Sequence, residues 1–310
     1  MFEPRLQTRL ETKKKQLDSL RPLPKAAVNR LNEQIMVEWI YNSNAIEGST
    51  VTLQETRLIL ETGLTIGGKS LREHFEVINH RDAIDYVEGL AAGKEAITAF
   101  HVRQIHKLVL TRIDDESAGS YRQTQVQIAG ATHTPPESWL VPQQMDEWSD
   151  WLAGSQKLVH PVELAALAHH RLVAIHPFVD GNGRTARLVM NLILMRSGYP
   201  PTVILRANRK QYYRVLADAD EGKDAPLINF VGRAVERSLT LFLEACTPVT
   251  TPPEEESEWI SLREAALGSP YSQEYLSLLA RLGRLEAVKR GRNWYTTRQA
   301  VDSYTRSVDK

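Results

Sequence analysis

Two apolar stretches at helical spacing, VELAALAHHRLVAI (162–175) and TARLVMNLILMRSG (185–198), are separated by only nine residues, HPFVDGNGR. That junction constrains the chain more than any other feature in it. Pro177 cannot extend a helix and disfavours helical geometry at the residue before it, so the first helix ends at His176. DGNG then makes a tight turn in which Gly181 and Gly183 admit backbone conformations closed to other residues, and a second helix starts there. The same period recurs in LNEQIMVEWI, TLQETRLILET and LREHFEVINHRDAIDYVEGL, so the body of the chain is mostly α.

One segment departs from the helical period. In YRQTQVQIAGATHTPP (121–136), Val126 and Ile128 alternate with polar neighbours ahead of a Gly, Thr and Pro cluster, the pattern of a short β-hairpin or exposed flap. CTPVTTPPEEESE (246–258) is the best linker, because its prolines, threonines and acidic run cannot support a packed helix. Beyond it, residues 259–310 read as helix, turn, helix and then LEAVKRGRNWYT, a basic turn between two short β-prone pieces, which suggests a small winged-helix-like domain. The expected organisation is an N-terminal helical region over 1–95, a core over 96–245, the linker over 246–258 and the winged-helix-like domain over 259–310.

At 310 residues and 42% hydrophobic composition, the chain is long enough for two domains with real cores. Its 38 basic and 38 acidic side chains cancel, so no global field steers it towards nucleic acid or an anionic membrane, and any such partner has to be read by a local patch. Cys246 is the only cysteine, which excludes an internal disulfide and a cysteine-based zinc site and fits a reducing cytoplasm. The first residues, MFEPRLQTRLETKKKQ, carry charge where a signal peptide is apolar, and the longest apolar run, LVMNLILM, is too short to span a bilayer. A cytoplasmic protein with no membrane segment is expected.

Two stretches are candidates for holding phosphate. GLTIGGKS, Gly63 to Ser70, fits the pattern G-x-x-x-x-G-K-[ST] letter for letter, a match that chance produces in only about one chain of this size in a hundred. That loop works when a β-strand delivers it and a helix receives it. Here TLQETRLILET, helical in period, precedes Gly63, so the stretch reads as a glycine-rich turn between two helices.

The junction that opens at His176 is different. Amides around Gly181 and Gly183 can point at one anion, the new helix offers free N–H groups and a favourable dipole, and Arg184 and Arg187 lie three apart on one of its faces. Asp180, Gly181, Asn182, Gly183, Arg184, Thr185, Ala186 and Arg187 thus form a candidate polyphosphate cradle. Asp180 at its lip can ligate Mg²⁺, which favours a carboxylate together with substrate phosphates. His176, with an ordinary pKa of about 6.5, is mostly neutral at pH 7 and able to take a proton. Phe178 anchors the loop in the core.

Nine fixed positions spell H-P-F-x-D-G-N-G-R-x-x-R, a pattern whose chance probability is on the order of 10⁻¹² per starting position. It matches in full the signature of Fic-domain proteins, which mostly transfer AMP from ATP to hydroxyls of target proteins. The resemblance covers roughly residues 30–245: GSYRQTQVQIAGATHTPP is similar to the family's flap, and NRKQYYRVLADADEGKDAPLINFV resembles the segment that closes over the adenine. It implies an all-α Fic fold with a small β-hairpin flap and ATP as co-substrate. It further implies that His176 is the general base, Asp180 the Mg²⁺ ligand, Gly181 to Gly183 the anion hole, and Arg184 and Arg187 the phosphate clamps. Tyr212 and Tyr213 are placed near the nucleotide base. Relatives often carry Asn where this chain has Asp220, which leaves that adenine contact open. A target segment would pair with the backbone of Val126, Gln127, Ile128 and Ala129 by strand addition.

SNAIEGS, Ser43 to Ser49, closes the helix begun around LNEQIMVEWIY, with Gly48 positioned as a C-terminal cap. It resembles the [S/T]-x-x-x-E-[G/N] inhibitory motif that some Fic proteins carry amino-terminal to the catalytic core, with Ser43 and Glu47 at the fixed positions. So short a motif occurs by chance in about one chain in four of this length. In context, Glu47 opposite Arg187 would occupy a γ-phosphate clamp and tilt ATP out of the transfer-competent pose. The same carboxylate supports an alternative activity, hydrolysis of an AMP–protein ester. A third reading is a DNA-binding regulator with an ancillary Fic domain: Trp259 to Lys310 carries nine basic against five acidic residues, concentrated in VKRGRNW. The second helix there, YSQEYLSLLARLG, offers only Arg281 as a base, so protein contact is favoured over DNA reading. The partners implied are ATP and a target protein docking on the flap, with a homodimer and DNA left open and no membrane.

Overall fold

Among the described residues, the apolar periods of the first 246 positions become ten α-helices: α1 (Pro4–Ser19), α2 (Lys25–Ile46), α3 (Leu53–Thr62), α4 (Leu71–Ala92), α5 (Ala99–Leu110), α6 (Val141–Ser155), α7 (Pro161–Ile175), α8 (Asn182–Arg196), α9 (Arg209–Asp220) and α10 (Asp224–Cys246). The computed structural model describes residues 2–128, 133–246, 259–267, 269–291 and 293–308. The chain divides into two compact units, Met1–Cys246 and Thr247–Lys310.

In the first unit α8 is the axis. Its side chains from Leu188 to Leu194 are all buried, as a helix that is apolar on every side has to be. Helices α7, α4, α5 and α2 pack around it, while α10 lies against α7 and α9 and is covered by α1. Leu6 and Leu10 from α1, Ile40 from α2, Val77 and Ile84 from α4 and Met190 from α8 belong to one continuous core. The helices preceding residue 96 therefore hold the charged face of α8 from one side. Truncating Leu192 to Ala in this packing costs about 2 to 5 kcal/mol.

The segment expected to be a β-hairpin flap carries no paired strand among its described residues, and its turn, including Ala129, lies outside them. Side chains tie its two legs instead. Arg122 donates from Nη1 to Thr124 O at 3.1 Å and from Nη2 to Pro136 O, Gln125 Nε2 donates to Pro135 O at 2.9 Å, and Ser138 Oγ to Gln123 O at 3.1 Å. These side chains each reach a main-chain carbonyl of the two legs, and the described legs are extended without a paired strand, while the turn of the expected hairpin lies outside the described residues.

Of the expected linker, Cys246 ends α10 as a buried free thiol, and residues 247–258 lie outside the described residues. The second unit begins with β1 (Ile260–Ser261), followed by α11 (Leu262–Leu267), α12 (Gln273–Arg281), β2 (Ala287–Arg290), β3 (Asn293–Thr296) and α13 (Arg298–Val308). Its antiparallel sheet has the order β1-β3-β2, with Ile260 opposite Thr296 and Lys289 opposite Trp294. Leu262, Leu276, Leu279, Leu285 and Val301 form its separate core. No helix among the described residues is long and apolar enough to cross a membrane.

Candidate active site

The Gly63–Ser70 turn is a capped helix start. Gly63 closes α3 in the left-handed region, and Ser70 caps α4 through a capping box with Glu73. The amides a phosphate would need are thereby engaged. Lys69 Nζ donates to Thr50 O at 2.6 Å and pairs with Glu55 at 3.6 Å, so it too faces its own chain.

The junction between α7 and α8 is built the other way. His176 caps α7 with φ 49 and ψ 58, a left-handed conformation that a side-chain-bearing residue adopts only under constraint. The constraint is visible: Arg122 Nε donates to His176 O at 2.9 Å, and Arg122 N to Pro177 O at 3.0 Å. His176 Nδ1 lies 3.3 Å from Val173 O, which places the ring proton on Nδ1 and leaves the Nε2 lone pair available. Burial pushes the His176 pKa down, aided by Arg122 and opposed by the Val173 carbonyl, Glu47 and Asp180, with a net fall below 6.5. The ring is neutral at physiological pH.

After Pro177 the loop is stapled from both sides. Phe178 is fully buried and stacks on His106 at 3.6 Å, nearly parallel. Asn182 Oδ1 accepts from Phe178 N at 3.0 Å while its Nδ2 donates to Phe178 O at 2.8 Å, so this side chain shapes the turn and leaves only its main chain facing a ligand. His106 Nδ1 accepts from Gly119 N and its Nε2 donates to Asp180 O, both at 2.9 Å, holding the loop to α5. Burial pushes the His106 pKa down to about 4, so this strap is neutral.

Gly181 (φ 74) caps α8 without a side chain, and Thr185 N is the first amide to reach back, to Gly181 O at 2.9 Å. The amides of Asn182, Gly183 and Arg184 consequently stay free at the positive end of the helix, an anion site by construction. Thr185 and Ala186 are fully buried and offer no side chain to a ligand.

The charged groups of the cradle all have partners. Arg187, fully buried, donates from Nε to Ser43 Oγ (3.1 Å) and from Nη2 to Ser43 O (2.8 Å), and pairs with Glu47 Oε1 at 2.8 Å. Ser43 and Glu47 lie one turn apart at the end of α2, on one face, and Gly48 (φ 109) follows as the left-handed residue past the helix. A Cβ at Gly183 would collide with Glu47 Oε1, so only glycine there admits the carboxylate. Burial acts to lower the Arg187 pKa, but Glu47 and Tyr212 outweigh it and the guanidinium is held charged. Asp180 pairs with Arg72 at 2.5 Å and Arg184 at 3.4 Å and accepts from Gly181 N at 2.6 Å. Burial raises the Asp180 pKa, but Arg184, the Gly181 amide and Arg72 together bring it below its ordinary value.

The two tyrosines separate. Tyr212 is fully buried: its hydroxyl meets His169 Nε2 at 2.9 Å and Arg187 Nη1 at 3.5 Å, so it backs the arginine and presents no open ring face for stacking. Tyr213 is 40% exposed, with Arg209 stacked 5.0 Å from its ring. Asp220, at the end of α9, accepts from His170 Nε2 at 2.8 Å. On the flap, Val126 and Ile128 are half-buried and Gln127 exposed, and no hydrogen bond among the described residues engages their main chain.

Among the described residues no three His, Cys, Asp or Glu side chains gather to hold a metal by themselves. A single half-exposed carboxylate beside free amides and two arginines fits Mg²⁺, which takes its other ligands from phosphate oxygens and water.

Fold and junction together define a helical protein built around one charged glycine turn, and the comparisons with known proteins place it. A model described as the Fic/DOC family matches residues 96–194. A Fic domain-containing signaling protein from Bacteroides thetaiotaomicron superposes with TM-score 0.72 at 31% identity over 77% of this chain and 96% of that one. A Fic family protein from Desulfovibrio desulfuricans shares the fold over 96% of this chain and 97% of its own, with TM-score 0.66 at 24% identity. The protein adenylyltransferase Fic of Nematostella vectensis is 42% identical over 241 residues, 77% of this chain and 56% of its own length. The chain belongs to the Fic/DOC family, and it spans about half the length of the curated relatives it matches.

Proposed function

We propose that this protein is an adenylyltransferase that moves AMP from ATP to a Ser, Thr or Tyr hydroxyl of a target protein. The single observation that carries the reading is the neutral His176, its Nδ1 tied to Val173 O, on the turn that leads into three free amides at the start of α8. The target hydroxyl oxygen attacks the α-phosphorus, its proton passes to His176 Nε2, and the bond from the α-phosphorus to the bridging oxygen breaks to release pyrophosphate. Base assistance of this kind contributes about 10² to 10⁴ in rate. The amides of Asn182, Gly183 and Arg184 stabilise charge growing on the phosphates, and Arg184 and Arg187 orient the chain of phosphates. Asp180 would hold Mg²⁺, which neutralises phosphate charge when bound. The main chain of Val126 to Ile128, unengaged among the described residues, would align an extended target segment.

Glu47 is the brake in this reading, since its 2.8 Å pair with Arg187 takes the guanidinium a γ-phosphate needs. A second reading, removal of AMP from a modified target, is favoured by one observation: the Glu47 carboxylate lies against Gly183, beside the anion site, where it could position water on an ester. The second unit is winged-helix-like in our reading, its wing being the pair of strands β2 and β3, and its exposed Tyr275 and Leu278 on α12 favour protein contact over DNA. The reducing cytoplasm is the compartment that the free thiol of Cys246 supports. Labelled ATP tests the central claim. Self-labelling is expected to be weak in the wild type, at least tenfold stronger with Glu47→Gly, and lower by about 10² or more with His176→Ala. Equal labelling in all three variants rejects both assignments.

A further inference from the structure

Four charges close a ring beneath the cradle. Arg72 Nη2 meets Asp180 Oδ2 at 2.5 Å, Asp180 meets Arg184 Nη2 at 3.4 Å, Arg184 Nη1 meets Glu76 Oε1 at 3.3 Å, and Glu76 Oε1 returns to Arg72 Nε at 3.4 Å. Signs alternate and the ring is neutral. Two members, Asp180 and Arg184, belong to the phosphate-binding turn, and the other two come from the first turns of α4. The side chains differ in freedom. Arg184 is 3% exposed, with Nε and Nη1 making no hydrogen bond and Nη1 meeting Glu76 as an ion pair alone, and cannot leave the site, whereas Arg72 is 55% exposed at the rim.

The ring has the form of a ligand's charges supplied from within: a cation on the carboxylate and an anion on the guanidinium. Its opening is directional. Asp180 cannot give the same oxygen to a divalent ion and to a guanidinium 2.5 Å away, and the member able to yield is the exposed one. Released, Arg72 keeps Glu76 one helical turn along as its counter-ion, so no charge is stranded.

We propose that Arg72 is a built-in competitor of the divalent ion for Asp180, and so sets how much metal the site requires. The inference rests on the assignment of Asp180 as metal ligand, and goes beyond it by naming the residue that tunes it. Arg72 reaches the carboxylate from α4, away from the Glu47–Arg187 pair on α2, so it acts on the metal end of the site and not on the γ-phosphate end.

The test is Mn²⁺ titration of the full chain, in excess over α,β-methylene-ATP, whose carbon bridge blocks cleavage of the transferred bond, with free Mn²⁺ read by electron paramagnetic resonance. Arg72→Ala is expected to tighten Mn²⁺ binding roughly two- to fivefold, the range set by one partly exposed ion pair. Arg72→Glu should tighten it further, and Arg72→Lys should stay near the wild type. Unchanged or weaker binding in both Arg72→Ala and Arg72→Glu overturns the proposal; weaker binding would mean that Arg72 serves the phosphates. Asp180→Asn separates the two levels. Loss of Mn²⁺ in that variant with no change in Arg72→Ala removes the competitor alone, while undiminished Mn²⁺ in Asp180→Asn removes the metal assignment and the competitor with it.

Discussion

The first unit contains two glycine-rich junctions between helices, residues 63–70 and 176–181, each entering a helix near a basic residue and each strapped by a histidine. In the first, His74 Nε2 accepts from Ile66 N and its Nδ1 faces Ser70 O, both at 2.7 Å; in the second, His106 bridges Gly119 N and Asp180 O at 2.9 Å. They part at one residue. Ser70 turns its hydroxyl onto the helix it caps and Glu73 answers it, whereas Gly181 has nothing to turn. Whether a helix start can take an anion is decided by its cap, since the dipole and the free amides are common to every helix before capping.

Acid should act most strongly on the second strap. His106 has a folded pKa of about 4 against an ordinary 6.5, so the unfolded chain takes the proton first. Its contribution is complete above pH 6.5 and is lost as pH falls towards 4, about 1.4 kcal/mol for each unit, or about 3 kcal/mol in all. Urea unfolding of the wild type and of His106→Gln across that range measures it; equal slopes would mean that His106 is already charged in the fold. Next in size is Gly181→Asp, which gives the second junction a capping carboxylate in a left-handed position beside the His106 ring. Affinity for α,β-methylene-ATP, followed by calorimetry, should fall at least tenfold, with a stability loss of about 1 to 2 kcal/mol. Retained affinity would remove the amides from the site. The smallest effect is the converse change, Ser70→Ala, expected to cost about 1 kcal/mol in thermal unfolding and to leave nucleotide affinity unchanged.

The helices were legible because their apolar period is set by burial, and the α7–α8 junction because Pro177 and two glycines fix its backbone whatever surrounds it. Ser43 and Glu47 were reachable for the same reason, being one turn apart on one helix. What the sequence hid is contact between distant positions. His106 meets Asp180 across 74 residues and lies on the apolar face of α5 with Val102, Ile105 and Val109, where a histidine reads as core. Arg72 and Glu76 look like an ordinary pair four apart on a helix. Tyr212 and Tyr213 are neighbours in sequence, yet adjacent residues on a helix point about 100° apart, so Tyr212 is buried while Tyr213 is 40% exposed. The flap's alternation predicts a ladder, whereas its described legs carry no paired strand and Arg122 reaches the carbonyls of Thr124 and Pro136 through Nη1 and Nη2. Strand β1 is two residues long and helix α13, RQAVDSYTRSV, is mostly polar, signals too brief or too polar for a pattern to register.

Arg122 also joins that loop to the carbonyls of His176, through its side chain, and Pro177, through its main-chain amide, so the loop and the imidazole are fastened through a single residue. A carpenter's jig works this way: the workpiece is clamped to the same block that guides the blade. Under the proposed function, changes along the described legs of that loop would retune which polypeptide is gripped while the reacting point stays in register.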